Sequence, residues 1–147
     1  MKSKIRPPTY FFLSLLVMTG LHFIVPVIRV VPAPFNLFGL LLIIAGIGLN
    51  IWAWRLFQKA ETPECPTERP TRLILEGPFR FTRNPMYLGM LLSLAGLAVL
   101  LGTLTPWLVP PLFILKINRF VSFEENVMAE VFGTSYLSYR KSIHRWI

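Results

Sequence analysis

Long apolar runs alternate with short polar breaks along this chain, and they set its architecture. The first run, 10–31, is uncharged from 11 to 21 and carries His22, Pro26 and Arg29 toward its far end. After the turn Pro32-Ala33-Pro34, a second run covers 35–57 and closes with Trp52, Trp54 and Arg55. Its Gly39, Gly46 and Gly48 offer a small-residue face for close helix packing. A third run, 86–103, contains Gly89 and Gly96; the uncharged turn Thr103-Leu104-Thr105-Pro106 leads into a fourth, 107–120, with Pro110-Pro111 in its first turns. A full crossing takes about 20 apolar residues, so the last two runs read as a tight helical hairpin, the fourth crossing with little tilt or only part of the way. The pattern predicts an all-α protein: a polytopic membrane bundle of about four transmembrane helices forming a single domain over 1–147.

Two segments break the pattern. The stretch 58–85 is polar and proline-rich, too polar to span and too long for an idle connector. Inside it, Arg72-Leu73-Ile74-Leu75 forms an apolar patch suited to the membrane surface or to covering a pocket. The stretch 121–147 is the other: Val127, Val131, Phe132, Tyr136, Tyr139 and Ile143 recur at roughly helical spacing, and Gly133 divides it into two short helices. Arg140, Lys141, Arg145 and Trp146 suit a segment lying on an anionic membrane face.

Composition sharpens this picture. Hydrophobic residues make up 54% of the chain and the mean hydropathy is +0.57, outside the range of soluble domains. A formal charge of +8 raises the question of nucleic acid, but the apolar runs decide against it. The basic residues instead flank the spans. With Lys2, Lys4 and Arg6 inside, nearly all other Lys and Arg also fall inside and only Arg29 lies toward the outside. That satisfies the positive-inside rule with a multi-pass chain whose two ends are cytoplasmic. Lys2, Lys4 and Arg6 also resemble the start of a signal peptide, but no small-residue cleavage site follows, so a retained membrane helix is expected. The single cysteine, Cys65, forms no internal disulfide, and no Cys/His spacing points to a metal site. Carboxylate chemistry must come from seven Glu, because the chain has no Asp.

Topology places 58–85 and 121–147 on one side of the membrane. In the first lies Gly77-Pro78-Phe79-Arg80-Phe81-Thr82-Arg83-Asn84-Pro85-Met86-Tyr87-Leu88-Gly89, where Gly-Pro signals a turn and Asn-Pro a helix start. In the second, Glu124-Glu125 directly follows the fourth run. Taken alone the pair is a solvated helix start. Opposite a helix N-terminus, with Arg83 and Arg119 as candidate partners, it becomes a site for a zwitterion or a ribose diol.

This order of motifs, ending in Phe132-Gly133 followed by Tyr136 and Tyr139, resembles the isoprenylcysteine carboxyl methyltransferase and phospholipid methyltransferase family from about Thr62 onward. The resemblance implies an integral membrane enzyme using S-adenosylmethionine, with a cofactor pocket built from cytosolic connections and helix ends. It implies cofactor contacts from Thr71, Arg72, Leu73, Ile74, Phe79, Asn84, Pro85, Met86, Tyr87 and Glu124, and one more near Glu64. Asn84 stands where the family carries His; it can bind and orient but cannot titrate near neutral pH. Glu124, Tyr87 and Arg119 are the expected catalytic residues, Arg119 lying near the acceptor or, equally, snorkelling to the interface. The partners implied are the lipid bilayer and a lipophilic or membrane-delivered acceptor: isoprenylcysteine carboxylate, phospholipid or thiol.

Two other functions fit parts of the pattern. Membrane sterol reductases, which use NADPH, have a similar C-terminal region but longer chains. A non-catalytic small membrane protein would leave the Glu pair and the Asn-Pro run as helix caps; against it, no span carries a central charge for a transport path.

Overall fold

A computed structural model describes residues 6–25, 28–63 and 69–147. The fold is all-α, with four helices among the described residues: α1 (Pro7–Ile24), α2 (Phe38–Lys59), α3 (Pro85–Leu101) and α4 (Val109–Ser142). Short 3-10 turns, Phe35–Leu37, Gly77–Arg80 and Thr105–Leu108, lead toward α2, α3 and α4. Proline opens α1, α3 and α4, where its fixed φ suits the first turn and its missing N–H is no loss.

The expected four spans are only partly matched. Two helical stretches, Pro7–Ile24 and Phe35–Lys59, are long and apolar enough to cross a membrane. Pro85–Leu101 is apolar but shorter. The fourth run does not end near 120. It continues as one helix into polar sequence, because the apolar pattern narrows from all-round to one stripe without any breaking residue: Ile117, Val121 and Glu125 are buried while Lys116, Arg119 and Phe123 face out. The break comes at Gly133, with φ +52° and ψ −126°, a combination open to glycine alone. There the chain kinks, as expected, but it separates the long helix from a last short helical stretch rather than two short helices from each other.

α3 is the central element. It runs antiparallel to α2, with Gly96 facing Gly39 and Gly89 facing Gly46. A Cβ on Gly39 would sit 2.3 Å from the Gly96 carbonyl oxygen, and one on Gly46 would sit 2.4 Å from that of Gly89. The two backbones therefore touch, as small residues in membrane helices permit. Gly48 has open space around it and takes no part. On its other side α3 joins α1 and α4 in one core of Met18, Tyr87, Met90, Leu94, Ala98, Phe113, Ile117 and Val121. Tyr10 meets Phe120 at a tilt and Phe11 meets Phe113 edge to face, so the first turns of α1 lie against α4. The outer faces of α1 and α2, including Phe12, Leu16, Leu41 and Ile44, are exposed and apolar, the surface a lipid environment covers.

At one end of the bundle the loops close on each other. Val30 and Val31 donate backbone N–H groups to the Gly102 carbonyl at 2.8 and 3.1 Å, and Leu104 donates to the Ile28 carbonyl at 3.1 Å. His22 Nδ1 lies 2.8 Å from Thr103 Oγ1, and Asn36 donates to the Leu100 carbonyl. His22 thus makes a contact between a helix and a loop. The other end carries the polar segments and everything that follows.

Candidate functional site

At that second end, three pieces of chain converge: the connection between α2 and α3, the start of α3, and α4 with the residues after it. Gly77 begins the convergence. Its φ is +61°, and a Cβ there would come within 2.8 Å of Leu56 and 3.2 Å of the Trp52 ring nitrogen. Only glycine lets the chain turn this close to α2. The turn buries Phe79 and Pro78, and Ile74 joins Phe79 and Ala53 in a small second core. The Phe57 and Phe79 rings meet edge to face at 5.7 Å.

Asn84 precedes Pro85, the first residue of α3, as the Asn-Pro signal predicts, but its side chain does not cap the helix. Instead its Nδ2 donates to the Arg145 carbonyl at 3.1 Å, which also accepts from Thr82 Oγ1 at 3.0 Å. The Arg83 N–H donates to the His144 carbonyl at 3.1 Å. Residues 143–146 thus return to the α3 start. The expectation that Arg145 and Trp146 lie on the membrane face does not hold: Arg145 turns inward and Trp146 packs on the main core. The Gly133 kink reverses the chain and makes this return possible. Tyr139 helps to hold it, donating to the Phe79 carbonyl at 2.6 Å.

The two glutamates occupy different environments. Glu125 is 3% exposed and clasped by two arginines. Arg145 donates to it from Nε at 3.2 Å and from Nη2 at 2.7 Å, and Arg83 Nη1 lies 3.1 Å from its Oε1. Glu124, one residue earlier, accepts a short hydrogen bond from the Tyr87 hydroxyl. Burial pushes the Glu124 carboxyl up from 4.5 to about 7; the Tyr87 bond opposes this and the charge of Glu125 adds to it. Burial likewise raises the phenols of Tyr136 and Tyr139 above their ordinary range.

Two cavities flank this group, of about 120 and 210 Å³. Phe57, Phe79, Arg83, Asn84 and Glu124 line both. The first extends past Arg72, Leu73 and Ile74 toward Tyr136 and Tyr139. The second extends past Pro85, Met86 and Tyr87 to Met90 and to Arg6, Pro7 and Pro8 at the start of α1. Most of the residues singled out from sequence therefore come together. Thr71 does not line either cavity; it is exposed and bonds to Thr62 and Glu61. Glu64 lies outside the described residues. Arg119 is exposed on the outer stripe of α4 and borders neither cavity, so a place beside the acceptor does not follow from this geometry.

Arg83 partners the glutamate pair as expected, through Glu125; sequence reasoning missed Phe57, Arg6, Met90 and Met128 as lining residues, and the closing of the clasp on Glu125 by Arg145. Phe57 had a usable signal: it closes the second apolar run just where the polar segment begins. The clasp had none, since adjacent glutamates cannot be ranked by depth without knowing which stripe of α4 faces in.

Fold and site together define a helical membrane protein with a partly buried, mainly apolar pocket that carries a few charged and polar groups at one end of its bundle. The sequence model of the phospholipid methyltransferase family matches residues 35–135, and the chain belongs to that family. No curated protein and no solved structure matches it. Helix α1, Tyr136, Tyr139 and the 143–146 return lie outside the matched region.

Proposed function

We propose that the protein is an S-adenosylmethionine-dependent methyltransferase acting on a lipophilic, membrane-delivered acceptor. The observation that carries the reading is the bond from Tyr87, in the wall of the second cavity, to Glu124, which lines both. It joins a helix start and a helix interior that are 37 residues apart in sequence. Family membership supports methyl transfer.

The residues present suit the donor. Its cationic amino group matches the buried Glu124 carboxylate, its adenine matches the Phe57–Phe79 wall, and Arg83, although ion-paired with Glu125 through Nη1, has a buried Nε with no hydrogen-bond partner. Arg72, Leu73, Ile74, Asn84, Pro85 and Met86 complete the lining. Bound there, S-adenosylmethionine supplies a methyl group already activated on a sulfonium. What remains for the protein is proximity and alignment. Tyr87 fixes the Glu124 carboxylate, and Asn84, held by Arg145, fixes the entrance to α3. Because Glu124 also faces the second cavity, it can hold the proton that an amine acceptor must lose. A thiolate or carboxylate acceptor needs no such help.

The same reading places α3 and α4 in the membrane with α1 and α2. α3 packs against α2 along its length through backbone contact, so the two share one depth. Four crossings put the site and both ends of the chain on the cytoplasmic side, where the positive residues concentrate.

The test is S-adenosylmethionine binding to purified protein in detergent or lipid discs, followed by transfer of labelled methyl into a lipid extract. Glu124→Ala should weaken binding at least tenfold and Tyr87→Phe several-fold, by loss of a charge-assisted hydrogen bond and of its orienting partner. Absence of binding at millimolar donor would overturn the reading.

A further inference from the structure

The glutamate clasp does not balance. Two guanidinium groups, Arg83 and Arg145, share one carboxylate, Glu125, and Arg145 makes both hydrogen bonds to it. Arg83 forms an ion pair with Glu125 Oε1 at 3.1 Å and its side chain also bonds to Tyr136, but its buried Nε and Nη1 meet no acceptor at hydrogen-bonding geometry. Its side chain is only 10% exposed. Buried guanidinium donors without acceptors are costly, and native structures rarely leave them so without a reason. Arg145 borders neither cavity, whereas Arg83 borders both. The unused donors therefore belong to the residue that faces the pocket.

We propose that Arg83 is a binding residue that receives the carboxylate of the methyl donor's amino-acid end, while Glu124 faces the ammonium on the same carbon. The proposal rests on the methyl-donor reading above and adds a specificity-determining residue to it. A guanidinium presents planar, forked donors that match a carboxylate. Arg83 and Glu124, of opposite sign, line the same cavities, and a zwitterion whose two charges share one carbon suits such a pair. A phosphate next to an ammonium, as in a lipid headgroup, has the same chemistry, and the experiment separates the two sources.

Affinities of the full-length protein for S-adenosylmethionine and for its decarboxylated analogue are measured by calorimetry or thermal shift, with no turnover needed. The unaltered protein should prefer the carboxylate-bearing nucleoside by about tenfold to a hundredfold, the range of one charge-assisted hydrogen bond. Arg83→Gln should abolish that preference, and Arg83→Lys should keep part of it. Arg145→Gln, which also strips Glu125 of a partner, should lower stability yet keep the preference. Should Arg83→Gln fail to fold, the ratio in Arg83→Lys decides, because loss of the fork lowers it several-fold. An unchanged ratio in the Arg83 variants overturns the proposal. So does an equal loss of affinity for both nucleosides, or a loss confined to a vesicle-borne phosphoethanolamine lipid, which would assign Arg83 to the acceptor. If the unaltered protein binds both nucleosides equally, this inference fails and the methyl-donor reading stands; if it binds neither, both fail.

Discussion

The two ends of the bundle solve the same problem, joining helices across a turn, by different means. At the end near Gly102, backbone groups of 28–31 and 102–104 pair with each other, and His22, Asn36 and Thr105 supply short polar bonds. Arg29, bridged to Thr103, is a charged residue placed there. At the other end the joints are side chains: Glu125 between two arginines, Tyr87 on Glu124, Tyr139 on the Phe79 carbonyl. Backbone pairing satisfies the groups it joins, and the unpartnered buried atom at that end is a side-chain acceptor, Asn36 Oδ1, not a charged donor. Side-chain pairing of buried charges leaves surplus, here in Arg83, and with it cavities. One end is a seal and the other is a site, and the difference lies in which atoms do the joining.

Three changes test that contrast. The largest effect is expected from Glu125→Ala. It leaves Arg83 and Arg145 facing each other without a counter-charge, and breaking a buried pair costs about 3–5 kcal/mol. The expected result is a large fall in unfolding temperature together with loss of donor binding. A mild thermal effect would mean that the clasp is not what holds this end.

Next comes pH. A carboxyl raised from 4.5 to about 7 favours the folded state while protonated. Its contribution is complete below about pH 4.5, is lost as pH rises through about 7, and amounts to a difference on the order of 3 kcal/mol between those limits. Stability of the ligand-free protein should therefore carry a downward component from pH 5 to 8 that Glu124→Gln removes. Donor affinity should move the opposite way, rising toward pH 8, since a bound ammonium favours the ionised carboxylate. Parallel pH profiles in the original and the Gln variant would remove Glu124 from this role.

The smallest effect belongs to the sealed end. Thr103→Val deletes the hydroxyl beside His22 and should cost about 1 kcal/mol of stability. Donor affinity should not change. A binding defect from that variant would show that the two ends are coupled and that the division drawn here is wrong.

The apolar pattern made α1, α2 and the start of α3 readable, and the Gly-Pro and Asn-Pro signals fell where the chain turns. That Tyr87 and Glu124 share one end was legible, because topology and motif order both brought those segments together; their direct bond was not, since Arg83 and Arg119 were the expected partners. What the pattern hid was continuity. Phe120 to Phe132 turns polar on one side only, so hydropathy ends at a point where the helix does not. Without that phase, Arg119 could be placed toward the pocket although it lies two residues from both Ile117 and Val121, on the opposite face of the helix. The return of Arg145 was equally illegible, since it depends on the angle that Gly133 sets and not on any property of Arg145 itself.

The glycine contact between α2 and α3 has a mechanical meaning. With peptide groups touching at Gly39–Gly96 and Gly46–Gly89, no layer of side chains remains between those helices to slide or repack. They tilt as one plank. The second cavity has the start of α3 as one wall and the Arg6–Pro8 stretch at the start of α1 as another, so a greasy guest there would lie between that paired unit and the first helix.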